Sequence, residues 1–269
     1  MRDDQLVVVR GAGDIATGTI QKLVRAGFLV LATETNRPSA IRRQVALSEA
    51  VYEESFTVED ITAVLVETIE KAYQVMNAGQ VAIMIDPLCQ VLKEVQPLAV
   101  VDAIIAKKNI GTTREMAPIT IALGPGFIAG EDVDAVIETM RGHNLGRLIF
   151  LGPALPNTGV PGNIEGMGRE RVLHAPVAGC ISNKAAIGDS IEKGQIIAEI
   201  DGHPVIASMD GILRGLIRDG FKVSQGLKIA DIDPRDSEKE NCFTISDKAR
   251  CIGGAVLEAI LLLRKGKLD

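Results

Sequence analysis

The stretch VVVRGAGDIATG, residues 7–18, runs an apolar strand into a glycine turn and then into a helix. Gly11 and Gly13 are spaced as in a dinucleotide-binding turn, where glycine allows a tight bend and a close approach of backbone to pyrophosphate at a helix N-terminus. The third glycine of that fingerprint is replaced by Ala16, an accepted variant because the position serves helix-to-strand packing. The next apolar run, FLVLAT, leads to Glu34, about 20 residues past the glycines, where an acid meets a ribose hydroxyl. The competing reading is a tight turn alone. Asp14 would repel a phosphate if it pointed inward, but in the first turn of a helix a carboxylate can face away and is favoured by the dipole.

Working outward, residues 5–151 alternate helical patterns with unbroken apolar runs: QLVVVR, FLVLAT, VAIMID, LAVVDA, ITIALG and RLIFLG. Such runs suit parallel strands covered on both faces, so the chain is expected to be α/β, with a Rossmann-like doubly wound parallel sheet. Ligands bind outside the carboxyl ends of such strands. Asp86 closes VAIMID, Asp102 closes LAVVD, and GPGFIAG, with Gly124, Gly126 and Gly130, forms a second turn able to aim N–H groups at an anion. Acids gathered beside phosphates need counter-charge, which predicts that Arg37, Lys107 or Arg141 turns inward or that a magnesium ion bridges. Helix capping is the alternative role for Asp86 and Asp102. The expected cofactor-binding set is therefore Gly11, Gly13, Asp14, Ala16, Glu34, Arg37, Asp86, Gly124, Gly126 and Arg141. His143, in RGHNLG, is the one candidate proton-transfer group, against a structural role for the same ring.

Residues 152–168, GPALPNTGVPGNIEGMG, defeat both helix and strand and mark a linker or a functional loop. Beyond them, APVAGCISNKAAIGDSIEKGQIIAEI from Ala175 repeats as ASMDGILRGLIRDGFKVSQGLKIADI from Ala207. One shift lays Gly179 on Gly211, Gly188 on Gly220 and Gly194 on Gly226, so the same backbone turns should recur. The segment resembles biotinyl and lipoyl carrier domains, with GDSIEKGQ as the matching phrase. IDGHPVIAS, where the carriers place their modified lysine, contains none; Asp201-Gly202 reads as a hairpin turn. The resemblance implies a small all-β sandwich with a structural or docking role. Residues 246–267 read as a helix capped by Ser246 or Asp247, with Gly253 and Gly254 inside it. Each glycine weakens a helix by ~1 kcal/mol relative to alanine, so a close contact is expected to compensate. The expected division is a nucleotide-binding domain at 1–168, the sandwich at 169–234, and a helical segment at 235–269 returning to the first domain.

A net charge of −6 and 3% aromatic residues supply neither the basic footprint nor the stacking platforms of a nucleic-acid partner. Met1 leads through polar residues into LVVV without a signal-peptide core, so a cytoplasmic location is expected. AVLEAILLL is too short for the ~20 apolar residues of a bilayer crossing. Cys89, Cys180, Cys242 and Cys251 form no C-x-x-C pair, and no metal site is predicted; reduced core thiols are expected, with Cys242 and Cys251 as minor redox candidates. The chain has no Tyr-x-x-x-Lys pair, no G-x-S-x-G elbow and no G-x-x-x-x-G-K-[ST] loop.

In order and spacing, VVVRGAGDIATGTIQKLVRAGF, IRRQVALSEAVYE, VDAIIAKKN, ALGPGFIAGEDVDAVIETMRGHNLGR, PNTGVPGNI and TISDKARCIGGAVLEA closely resemble the accessory protein family of the selenium-dependent molybdenum hydroxylase system. The glycine turn and IGGAVLEA are also similar to xanthine dehydrogenase accessory factors, with Ala255 in place of a third glycine and Met140 in place of a common asparagine. The resemblance implies a maturation role: binding a nucleotide or the dinucleotide form of the molybdenum cofactor, and assisting its modification or delivery to a hydroxylase apoenzyme alongside cofactor-processing proteins. Two other readings stand beside it, an NAD(P)-dependent oxidoreductase and a non-catalytic docking scaffold. Whether any reaction is catalysed, and the oligomeric state, stay open at this point.

Overall fold

The computed structural model describes residues 3–159 and 166–266. The chain divides into two compact units, the first made of 1–38, 46–157 and 245–269, the second of 39–45 and 158–244. Residues 160–165, part of the expected linker and of PNTGVPGNI, lie outside the described residues.

The first unit is built on β1 (Leu6–Arg10), α1 (Asp14–Arg25), β2 (Leu29–Glu34), α2 (Ala50–Glu53), β3 (Ser55–Val58), β4 (Ile61–Leu65), α3 (Ile69–Asn77), β5 (Val81–Ile85), β6 (Ala99–Asp102) and β7 (Ile119–Leu123). Short strands follow: β8 (Ile128–Ala129), β9 (Ala135–Ile137), β10 (Leu148–Ile149) and β11 (Gly152–Pro153). Nine of them form one sheet in the order β10-β9-β7-β6-β1-β2-β5-β4-β3, while β8 and β11 pair separately. The central strands β1, β6 and β7 are wholly buried. Their continuous Val, Ile and Leu runs follow from having no solvent-facing side.

This sheet corrects the expected fold class. It is mixed, because β3 pairs antiparallel with β4 at one edge and β10 antiparallel with β9 at the other. The turn of the β3/β4 hairpin is Glu59-Asp60, with Glu59 at φ 52°, not an Asn-Gly or Asp-Gly pair that announces a hairpin in sequence. α-Helices join β1 to β2 and β4 to β5, but none joins β5 to β6 or β6 to β7. PLCQVLKEVQP, between β5 and β6, and the segment between β6 and β7 carry Pro, Gly and Asn, and fold as 3-10 turns and loop. A nine-stranded mixed sheet with separate antiparallel sheets therefore stands in place of a Rossmann-like doubly wound parallel sheet followed by a biotinyl/lipoyl-like sandwich.

The last helix of this unit, α4 (Asp247–Lys265), is capped by Ser246, whose Oγ accepts from the Ala249 amide at 3.2 Å. It lies against α1 at small residues: a Cβ on Gly18 would sit 2.5 Å from the Ala249 oxygen, and one on Gly253 would strike the Gly18 carbonyl. Gly254, next in sequence, faces open space.

In the second unit, β12 (Val172–His174), β14 (Ser190–Ile191), β17 (Gly211–Leu216) and β19 (Lys228–Asp233) form one antiparallel sheet in the order β12-β19-β17-β14. β13 (Gly179–Asn183), β15 (Ile196–Ile200), β16 (His203–Ile206) and β18 (Lys222–Val223) form the other, in the order β16-β15-β13-β18. Each sheet borrows a strand from the other repeat, since β14 pairs with β17 and β18 with β13. Asp201 and Gly202 turn the β15/β16 hairpin at φ 45° and 83°. Residues 39–45 join this unit although far away in sequence: the Leu216 amide donates to the Ile41 oxygen at 2.9 Å, and Arg43 Nε to the Leu216 oxygen at 3.1 Å.

Candidate functional site

The parallel strands of the first unit bring β7, β6, β1 and β2 side by side with their carboxyl ends on one edge. Two glycine turns leave this edge. Gly11, at φ 93°, bends the chain after β1 so closely over the β6 loop that a Cβ there would lie 3.1 Å from Ile104 Cα. Gly126, at φ 110°, does the same after β7, with a Cβ position 2.5 Å from the Lys108 nitrogen. Both turns thus flank one segment, 103–108, in which Ile105 and Lys107 hold φ of 59° and 61°. A β-branched residue at positive φ is strained, and such strain gathers at functional sites.

Gly13 is the N-cap of α1 and brings no side-chain acceptor, leaving the first turn of that helix to other partners. A Cβ on Gly13 would meet nothing within 4 Å, so the space over this helix start is open. Asp14 is the first helical residue, and Ala16 is fully buried in the helix. The turn is braced from below. Thr17 Oγ1 donates to the Gly13 oxygen at 3.0 Å and accepts from the Leu47 amide at 3.0 Å, while the Ser48 amide donates to the Ala12 oxygen at 2.8 Å.

Glu34 reaches this turn directly. Its carboxylate accepts from the Ala12 amide at 2.9 Å and from the Thr35 amide at 2.8 Å. Burial pushes the Glu34 carboxyl above the usual glutamate range, although both amides pull it down. The acid expected at a ribose therefore lies on the glycine turn and satisfies one of its donors.

The other expected acids are committed elsewhere. Asp86 accepts from the Val91 amide at 2.8 Å, which is the capping role, and its own amide donates to the Glu34 oxygen at 3.0 Å. Asp102 shares the last rung of the sheet with Arg10 and Thr33, all three buried. The Thr112 hydroxyl donates to Asp102 at 2.6 Å and accepts from Arg10, whose guanidinium lies 3.7 Å from Asp102 and also reaches the Pro87 oxygen at 3.3 Å. Sequence reading placed Arg10 only at a strand end. Its neighbour Cys89 has its thiol pushed up to about 11, chiefly by burial.

The arginines expected to turn inward do not do so. Arg141 is bidentate to Asp247, with both bonds at 2.8 Å on the surface, because the capping turn of α4 offers a carboxylate nearer than any ligand. Arg37 and Lys107 are exposed. His143 is exposed on the turn that follows Arg141. A Cβ on Gly124 would sit 2.5 Å from Thr139 Oγ1, so this glycine serves packing beside the edge. Lys248, in the first turn of α4, was not among the residues singled out in the sequence. It is half-buried, with Asp14, Glu138, Arg141 and Asp247 as its charged surroundings. Burial, with help from Arg141, holds its ammonium below the ordinary lysine value against the pull of the three acids.

Among the described residues, no group of three or more His, Cys, Asp and Glu is placed to hold a metal ion. The four cysteines are free; Cys242 is buried in the second unit and Cys251 is exposed on α4. No described helix is long and apolar enough to cross a membrane. A cleft of about 550 Å³ opens among Leu92, Val95, Pro97, Leu98, Met116 and Pro118, which precede β6 and β7 and so lie at the opposite edge from the glycine turns.

No family model matches the chain. It is 50% identical over 259 residues to an uncharacterized protein of Escherichia coli (strain K12), YqeB, covering 96% of this chain and 48% of that protein. The chain thus spans about half the length of this curated relative, whose name assigns no activity. Among solved structures, it is similar to an aspartoacylase family protein from Mesorhizobium loti at 12% identity and TM-score 0.29, over 84% of both chains. A succinylglutamate desuccinylase from Silicibacter sp. is matched at 13% identity and TM-score 0.26, over 85% of this chain and 84% of that one.

Proposed function

We propose that this chain is a cytoplasmic accessory protein that binds a nucleotide, or the dinucleotide form of the molybdenum cofactor, at the carboxyl edge of its nine-stranded sheet and assists maturation of a selenium-dependent molybdenum hydroxylase. The observation that carries the ligand-binding part is the convergence of the Gly11 and Gly126 turns on the same 103–108 segment, beside the open start of α1. Backbone amides at such a helix start, with the positive end of the helix dipole behind them, favour an anion. Glu34 sits one bond away from these amides, so a ligand whose phosphate takes the Ala12 donor would meet the acid with its ribose hydroxyls. The molybdenum hydroxylase assignment rests on the resemblance in sequence order and spacing, and the partner would be the hydroxylase apoenzyme or a protein that processes its cofactor.

The residues present fit a nucleotide. Gly13 leaves room for one, and Glu34 is an acceptor for hydroxyls. Equilibrium dialysis of the whole protein against NAD+, NADP+ and the molybdenum cofactor tests the reading, with Gly13→Asp as control. Gly13 has φ −66° and free space for a Cβ, so the variant should fold normally while placing a carboxylate where the phosphate would sit. The unmodified protein is expected to bind at least one of these ligands, and Gly13→Asp to weaken it by about tenfold or more, the loss of one charge-assisted contact. Failure of the unmodified protein to bind any of them would remove the reading.

A further inference from the structure

The segment between the two glycine turns stores backbone strain in a bridge that is pinned at its ends. Ile105 and Lys107 stand in the left-handed region, at φ 59° and 61°, where a residue with a Cβ loses about tenfold in population. Such conformations persist only where the surroundings impose them. Both ends do so. At the start, the Ala103 amide donates to the Arg10 oxygen at 2.8 Å and the Ile104 amide to Asp102 Oδ1 at 3.2 Å. At the far end, Asn109 Oδ1 accepts from the Gly111 and Thr112 amides at 2.8 and 2.9 Å, and the Thr112 hydroxyl is tied to Asp102. In between, among the described residues, 105–108 make no backbone hydrogen bond, and Ala106, Lys107 and Lys108 are exposed.

The bridge rests on both turns. A Cβ on Gly11 would lie 3.2 Å from the Ala103 carbonyl, and one on Gly126 would lie 2.5 Å from the Lys108 nitrogen and 2.8 Å from the Lys107 carbonyl carbon, so glycine at each turn lets the chain pass this close. A ligand that takes donors from both turns has to lift it. We infer that residues 103–108 are a strained strap over the carboxyl edge of the sheet, held down in the free protein and released when a ligand enters between the turns, with Ile105 and Lys107 then leaving the left-handed region. The inference rests on the proposed reading of this edge as a nucleotide site and supplies its gate. A ligand shifts a two-state element by as much as its interactions differ between the states, and strain relief is one such difference. Relaxing the strap in the free protein should therefore weaken binding, because the ligand would have to displace a segment already at its minimum.

Lys107 allows strain to be separated from charge. Lys107→Gly and Lys107→Ala both remove the ammonium, and at an exposed position both should fold, yet only glycine takes positive φ without cost. The test is titration of the intact, isotope-labelled wild type and both variants with NAD+, read as affinity and as the one-bond Cα–Hα couplings of Ile105 and Lys107, which report the sign of φ. Expected in wild type are positive-φ couplings in the free protein, replaced by negative-φ couplings at saturation. Lys107→Gly should bind NAD+ about fivefold or more weakly than Lys107→Ala, and in the free state should resist urea better than Lys107→Ala. Couplings that keep positive φ in the NAD+ complex, or equal affinities in the two variants, would overturn the strap and leave the nucleotide reading standing. No NAD+ binding by wild type would overturn both for this ligand class.

Discussion

A single carboxylate shows how the candidate site is balanced. Glu34 lies on the glycine turn with two amide donors, yet burial outweighs them and raises its pKa. Its unfolded value is about 4.3, so between that value and the higher folded one the native state holds the proton more firmly than the unfolded chain does. Stability should therefore fall as pH rises through that window and reach a plateau above it. Urea midpoints of wild type and Glu34→Gln, taken along a pH series, should differ by an amount that changes only across this window. Curves that run parallel throughout would show that Glu34 does not titrate abnormally. Asp233 in the second unit has the opposite sign. Burial alone would raise it, but hydrogen bonds and charge from Arg235, with Arg214 behind, hold it below the usual aspartate range. Its stabilisation is complete above about 3.9 and is lost as pH falls towards its lower folded value. Asp233 has no exposed surface, so Asp233→Asn should destabilise by about 3 kcal/mol or more, because the largely buried Arg214 loses its carboxylate and Arg235 keeps only Glu238 at 3.4 Å. A loss under about 1 kcal/mol in urea unfolding would contradict this.

At the scale of elements, the adjacent glycines of α4 separate two effects that sequence joins. Gly253→Ala should destabilise by about 1 to 3 kcal/mol, because its methyl group meets the backbone of α1 and neither helix can give way cheaply. Gly254→Ala should stabilise by up to about 1 kcal/mol, because the helix gains propensity and the methyl group meets open space. Urea unfolding of the two variants checks both signs, and equal effects would refute the proposed contact. The sequence showed that some glycine in this helix needed a close partner. It could not show which glycine or that the partner is Gly18, since an interhelical approach leaves no local signal. The strands β1, β2, β5, β6 and β7 were legible as buried apolar runs. The β3/β4 hairpin was not, because its Glu-Asp turn carries no glycine, and missing it made a mixed sheet read as parallel.

At the scale of the whole chain, the two units are cut from interleaved sequence, and that is what local reading could least reveal. Residues 39–45 follow Glu34 closely, yet belong with 158–244 through the Leu216–Ile41 hydrogen bond and the close packing of Gly215 on Ile41. The second unit expressed as 158–244 alone should therefore unfold at lower urea than the same unit in the full chain, and adding the 39–45 segment should restore part of the difference. Equal midpoints would show that the segment contributes nothing. The internal repeat, by contrast, was legible because each turn repeats its glycine: Gly188 and Gly220 both take positive φ, as do Gly194 and Gly226. Lys248 escaped notice for the same reason that Ile41 did. It stands on a helix more than 200 residues downstream of the glycine turn, which meets α1 at Gly18 only through tertiary packing.

The central claim is that the start of α1 receives a phosphate. Backbone amide shifts of the isotope-labelled protein, followed by NMR during titration with NAD+, test it most directly. The account predicts saturable shifts at Ala12, Gly13 and Asp14, accompanied by the Glu34 and Gly126 amides. Shifts confined to the opposite cleft at Leu92, Leu98 and Met116, or no shifts at all, would contradict it.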